Sequence, residues 1–177
     1  TPLTALPILT DPVTLDGTTQ PGFTVSPLVE LSGAAAPGGS SGLRLATSNS
    51  VIRGLVVNRW RAHGIEINGG RGHVVEACYL GTGSQGTNDL GNGTHGILIA
   101  NSAANRVGGP DPKQGNVISG NEGNGIRLDG LNATNNVIVG NRIGTDETGA
   151  QPLPNGGAGI EVGGNARFNR LGGLTPG

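Results

Sequence analysis

The sequence predicts an all-β chain folded as a single-stranded, right-handed parallel β-helix, and three observations carry that reading. A tetrad of glycine, apolar residue, any residue and apolar residue recurs as Gly42-Leu43-Arg44-Leu45, Gly64-Ile65-Glu66-Ile67, Gly96-Ile97-Leu98-Ile99, Gly125-Ile126-Arg127-Leu128 and Gly159-Ile160-Glu161-Val162. After the tetrads come two further short apolar segments with a Gly-Asn corner between them, as in Asn136 to Ile143, so the unit is three short strands in roughly 22 residues. Glycine fills 35 of 177 positions without recurring every third residue, which excludes collagen, while Ile, Val and Leu return at ordered intervals, which excludes disorder.

A unit of three short strands cannot bury its own apolar face and must stack on its copies. Strands that recur in the same order then lie parallel one rung apart, at about 4.8 Å, and the crossover rule favours a right-handed path. Residues 1–41 form the initial rung and its loops: Val13 to Gly17 and Leu28 to Gly33 are its last two strands, with Thr18 to Pro27 and Ala34 to Ser41 as turns. Residues 42–177 form the regular rungs, whose second and third strands return in Val51 to Val57, His73 to Leu80, Asn105 to Ile118 (interrupted by a loop) and Asn136 to Ile143. The loops have a longer period of about 63 residues, or two rungs: Gly81-Thr82, Gly86 and Asn92-Gly93 match Gly144-Thr145, Gly149 and Asn155-Gly156. Long corner loops therefore alternate between two sides of the column. The total is one domain of about five to six rungs, some 25 Å tall. The chain stops at Gly177, in mid-rung by comparison with the earlier copy, and reads as a fragment of a longer repeat protein. No amphipathic helix caps either end, and a free end exposes unpaired backbone groups that invite end-to-end self-association.

The formal charge of -1, without a basic stripe, argues against a nucleic-acid partner, because phosphate recognition needs clustered Lys and Arg. No apolar run approaches the length of about 18 to 20 residues that a membrane span requires. The single cysteine, Cys78, forms neither an internal disulfide nor, alone, a zinc site.

The segments Ile8 to Gly22, Gly115-Asn116-Val117-Ile118-Ser119-Gly120-Asn121 and Ile143-Gly144-Thr145-Asp146-Glu147-Thr148-Gly149 resemble the parallel β-helix repeats of long secreted bacterial surface proteins, in the broad pectate-lyase-like superfamily. The resemblance covers nearly the whole chain and implies a fold and a secreted or cell-surface location. It does not imply a chemistry, because that superfamily holds lyases, hydrolases, epimerases, phage tailspikes and surface proteins without activity.

The middle residues of the tetrads, Arg44, Glu66, Leu98, Arg127 and Glu161, form one outward column, with Arg44–Glu66 and Arg127–Glu161 as salt bridges. Such a column is either a polysaccharide groove or an ordinary solvated face of alternating charges. No cofactor is implied: calcium, the one candidate, takes six to eight oxygen ligands, and the column offers two carboxylates separated by Leu98 and Arg127. His63 and His95 each precede a tetrad glycine and stack on consecutive rungs, with Ser41, Asn124 and Ala158 completing their column; they are a weak transition-metal candidate or a solvated corner. Trp60, between Arg59 and Arg61, either stacks on an anionic sugar or lies over the strand corner before Gly64. Cys78 aligns with Leu55, Asn116 and Asn141 at an inward-leaning corner, as a buried thiol beside an asparagine ladder. Asp89, Asp111, Asp129 and Asp146 fall in or beside turns and are expected to stabilise them; no residue is assigned as catalytic. The chain is expected to be a structural or adhesive segment without catalysis of its own. The alternatives are a carbohydrate-active or glycan-binding fragment, whose partner is a polysaccharide or cell-surface glycan, and a trimeric tailspike segment resting on exposed Leu98 and Val139.

Overall fold

A computed structural model of the chain describes residues 1–173, so the termination at Gly177 lies outside the described residues. The first rung consists of β1 (Thr14–Asp16), β2 (Val29–Ser32) and β3 (Leu43–Leu45), and the second of β4 (Val51–Arg53), β5 (Leu55–Asn58) and β6 (Ile65–Asn68). The third holds β7 (Val74–Glu76), β8 (Tyr79–Leu80) and β9 (Ile97–Ala100), and the fourth β10 (Arg106–Gly108), β11 (Val117–Ile118) and β12 (Ile126–Asp129). The fifth holds β13 (Val137–Val139), β14 (Arg142–Ile143) and β15 (Ile160–Val162), and β16 (Arg170–Leu171) opens a sixth. Every third strand pairs in parallel, which gives three sheets: β1-β4-β7-β10-β13-β16, β2-β5-β8-β11-β14 and β3-β6-β9-β12-β15. The molecule is a parallel β-helix, and both strands expected in residues 1–41 are present.

Register, rather than strand length, holds the column together. The tetrads sit side by side, with Leu43, Ile65, Ile97, Ile126 and Ile160 in one row and Leu45, Ile67, Ile99, Leu128 and Val162 in the next. The first sheet contributes Leu15, Ile52, Val75, Val107, Ile138 and Leu171, and the second Leu31, Val57, Leu80, Ile118 and Ile143. Ile65, Ile67, Ile97, Ile99, Ile126 and Leu128 are all 0% exposed. Each such side chain contributes about 1.5–3 kcal/mol on leaving water. The glycines that open the first four tetrads, Gly42, Gly64, Gly96 and Gly125, are required by close approach. A Cβ on Gly96 would lie 2.6 Å from Ile118 Cγ2 and 2.8 Å from the Gly125 carbonyl oxygen one rung on.

The corner before the first sheet is a stacked arch. Asn49, Gly72, Ala104, Asn135 and Phe168 occupy equivalent positions there, and all have left-handed φ, at 59, 72, 54, 56 and 58°. Four of the five are not glycine, so left-handed backbone is imposed by stacking in spite of its intrinsic cost of about 1–2 kcal/mol per residue. Before β1, Leu9 bridges Leu45, and Leu6 and Leu9 pack against the core. This extended segment adds a short strand-like layer to the third sheet that the sequence pattern does not announce. A second, smaller cluster of Val56, Tyr79 and Val117 lies on the outer face of the second sheet, where the Ser26 hydroxyl approaches Tyr79 Oη at 3.4 Å. Among the described residues, no helix is long and apolar enough to cross a membrane.

Candidate functional site

The outward face of the third sheet carries most of the residues that the sequence singles out. Its strands place Arg44, Glu66, Leu98, Arg127 and Glu161 in one register column. Arg44 Nε lies 3.1 Å from Glu66 Oε2, and Arg127 Nη1 lies 2.7 Å from Glu161 Oε2. Arg127 Nη2 also reaches Asp129 Oδ1 at 3.1 Å. The Ser41 hydroxyl donates to Glu66 at 3.0 Å, and the Asn124 side-chain amide donates to Glu161. Both carboxylates are thus occupied by neighbours on the same face.

His63 and His95 stack, with ring centroids 5.2 Å apart and planes inclined by 19°. The Asn124 backbone N–H donates to His95 Nδ1 at 3.0 Å, so the neutral ring carries its proton on Nε2 and has no lone pair there for a metal. His63 Nδ1 lies 2.6 Å from Thr94 Oγ1. Lone pairs of nearly parallel rings do not converge on a point about 2.0–2.1 Å from both nitrogens, as zinc would require. Among the described residues, no group of three His, Cys, Asp or Glu side chains is arranged to hold a metal.

Of the two positions open to Trp60, the ring takes the corner. It is 1% exposed, its indole Nε1 donates to the Leu31 carbonyl at 3.1 Å, and its ring leaves no room for a Cβ on Gly33, which would approach to 2.6 Å. A ring with no free face cannot stack on a sugar; it fills the corner of the second rung. Val139 is likewise buried, at 6% exposure, so it adds nothing to an exposed apolar face.

Cys78 is buried among apolar neighbours, which pushes its thiol pKa up to about 12 and leaves it un-ionised at neutral pH. Its backbone N–H donates to Asn116 Oδ1 at 2.9 Å, and Asn116 donates from its backbone and side chain to Asn141 Oδ1 at 3.1 and 2.8 Å. Asp146, Asp89 and Asp111 hold turn backbone, whereas Asp129 ends β12 and pairs with Arg127 instead. Asp146 accepts from the Thr148 hydroxyl at 2.7 Å and from the Ala150 and Gln151 amides, and these bonds, the hydroxyl foremost, lower its pKa. Asp89 accepts from Gly91 N–H and Asp111 from Lys113 N–H.

The sequence reading missed two further asparagine ladders. At the corner before the third sheet, Asn92 Oδ1 accepts from Trp60 N–H, Asn121 Oδ1 from the amides of Asn92, and Asn155 Oδ1 from the amides of Asn121. At the corner before the first sheet, Asn105, Asn136 and Asn169 form the same chain of bonds. His73 extends that chain, since its N–H donates to Asn105 Oδ1 and its Nδ1 accepts from Ser50 N–H at 3.2 Å. The signal was the recurrence of Asn before Arg106-Val107, Val137-Ile138 and Arg170-Leu171. Also unforeseen is a charged row on the first sheet: Arg53 pairs with Asp16 at 2.8 Å and with Glu76 at 3.7 Å, and Arg106 pairs with Glu76 at 2.7 Å.

All three histidines are held neutral. His73 is 1% exposed, and its Nε2, 2.9 Å from the Thr47 carbonyl, acts as the donor; burial lowers its pKa below 6.5. Burial, followed by the neighbouring His95, lowers that of His63 to about 4, and burial lowers that of His95. The unfolded chain binds protons near pH 6.5 that the folded chain refuses, so this stability is complete above that pH and lost as pH falls through it. Melting temperature is expected to drop between pH 6.5 and 4. His73→Asn, which keeps a side-chain acceptor at that corner, should make the slope shallower by up to about 1.4 kcal/mol per pH unit. Thermal melts across that range check this, and an unchanged slope would remove His73 from the account.

No protein-family model, curated protein or solved structure matches the chain.

Proposed function

We propose that this chain is a structural, spacer-like segment of a secreted or cell-surface protein, without catalysis of its own. The observation that carries the reading is the use made of its polar groups: asparagine ladders run up all three corners, and Glu66, Glu76 and Glu161 are each paired with arginine on the same sheet. Groups spent on holding rungs together are poorly placed to reorganise around a substrate. The likeness of Ile8 to Gly22 and Gly115 to Asn121 to β-helix repeats of the pectate-lyase-like superfamily supports the location.

A glycan-binding spacer is the second reading. It draws on a concavity of about 320 Å³ lined by Arg59, Arg61, Leu90 and Glu122, a volume at the lower end of the usual range for small-ligand clefts. The test is incubation with acidic and neutral polysaccharides, with and without calcium, followed by size-exclusion chromatography. Unchanged glycan profiles are expected. Shortened chains would overturn the structural reading in favour of an enzyme, and glycan eluting with protein would replace it with the second.

A further inference from the structure

We propose that the outer face of the second sheet holds a binding site for a free apolar α-amino acid, taken as its zwitterion. The corner loops build the site. Between the first and second sheets the loops of the first and fourth rungs are long, 17–28 and 109–116, whereas Gly54 alone joins β4 to β5 and Ala77-Cys78 joins β7 to β8. The two long loops thus stand three rungs apart, about 14 Å at the strand spacing, with the second and third rungs as a floor between them. A hollow of about 290 Å³ there is lined by Phe23, Arg53 and Glu76, and a second of about 200 Å³ by Tyr79, Val117 and Glu147. Val25, Ala77 and Lys113 line both.

The smaller hollow carries the charges that the rungs do not use. Its base is apolar, with Tyr79 and Val117 6% and 2% exposed, and Val25, on its rim, is 62% exposed. At one edge of the sheet Lys113, the chain's only lysine, stands on the turn Pro112–Gln114. That turn is fixed by Lys113 N–H donating to Asp111 Oδ1 at 2.8 Å and Asp111 N–H donating to Gln114 Oε1 at 3.3 Å. At the opposite edge Glu147 stands on the loop from β14 to β15, anchored by its N–H, which donates to the Gly86 carbonyl at 3.1 Å. Glu66, Glu76 and Glu161 are neutralised by arginine, but the side chains of Lys113 and Glu147 have no ionic or hydrogen-bonding partner among the described residues, each other included. An ammonium and a carboxylate that line one hollow from opposite edges without meeting are complemented by a molecule carrying both charges. Its carboxylate would meet Lys113, its ammonium Glu147, and its side chain the apolar surface of Val25, Tyr79 and Val117. A residue at either end of a peptide carries only one of those charges, so the pattern selects the free amino acid.

Titration of the isotope-labelled 177-residue chain with L-leucine and with L-phenylalanine, followed by amide chemical shifts, tests this. Saturable shifts confined to the neighbourhood of Val25, Ala77, Gly115, Val117 and Glu147 are expected, with dissociation constants of about a millimolar, since both charges are solvated at the rim. N-acetyl-leucine and leucinamide, which each lack one charge, should bind about tenfold more weakly than leucine. Lys113→Gln should abolish the preference for leucine over leucinamide, and Glu147→Gln the preference for leucine over N-acetyl-leucine. Circular dichroism establishes that each variant keeps its strands. Absence of saturable shifts with both amino acids would overturn the proposal, as would shifts scattered over the surface, or preferences that survive the two substitutions.

Discussion

Asn121→Ala is expected to lower stability by about 3–5 kcal/mol, a fall in melting temperature of roughly 10 °C or more for a chain of this size. Asn121 is 1% exposed and occupies the middle of its ladder. Its Oδ1 receives Asn92 N–H at 3.3 Å and Asn92 Nδ2 at 2.9 Å, while its Nδ2 donates to the Leu80 carbonyl at 3.1 Å and to Asn155 Oδ1 at 2.9 Å. Removing the amide strands several buried donors and acceptors at once, and each unsatisfied group costs about 1–3 kcal/mol. Asn155→Ala supplies the comparison. It lies at the edge of the column, is only half-buried, and water can reach the groups it leaves behind. Urea melts of the two variants should differ clearly; equal losses would mean that the ladder contributes little beyond filling space.

The second large effect separates the two sides of a single strand. Ile126→Asp is expected to cost about 5 kcal/mol or more and to unfold the fourth rung, because a carboxylate would enter a row between Ile97 and Ile160 with no cation to pair with. Arg127→Ala, at the next residue, should cost no more than about 1 kcal/mol, since its bonds to Glu161 and Asp129 lie on an exposed face. Denaturant midpoints measure both, and comparable losses would invert the inward and outward assignment of β12.

Much of this architecture is written in short-range pattern. Period-two alternation in Ile65-Glu66-Ile67 fixes which residues face inward, and repetition of the tetrad fixes which strands are neighbours, so the Arg44–Glu66 and Arg127–Glu161 pairs and the stacking of His63 on His95 follow before any coordinates are seen. The fate of Trp60 does not follow, because exposure at a corner depends on the neighbouring rung; Gly33 clears the space that the ring enters. Loop lengths obscured the ladders in a similar way. Asn92 and Asn121 are neighbours in space at 2.9 Å, but the turns that precede them differ in length, so alignment by eye does not bring them together. The Asp16–Arg53–Glu76–Arg106 row is hidden in part: Asp16, Arg53 and Glu76 share one register column, but Arg106 stands opposite Val74, two positions away, and its long side chain crosses to reach Glu76.

The three ladders have a mechanical consequence. In a column of roughly triangular section, material at the vertices lies farthest from the neutral axis and resists flexure most. The Asn92, Asn105 and Asn116 rows stand at those vertices, so bending toward any side stretches at least one row of directional bonds. Over the fourth and fifth rungs, where all three rows run, the solenoid is thus braced like a three-legged mast.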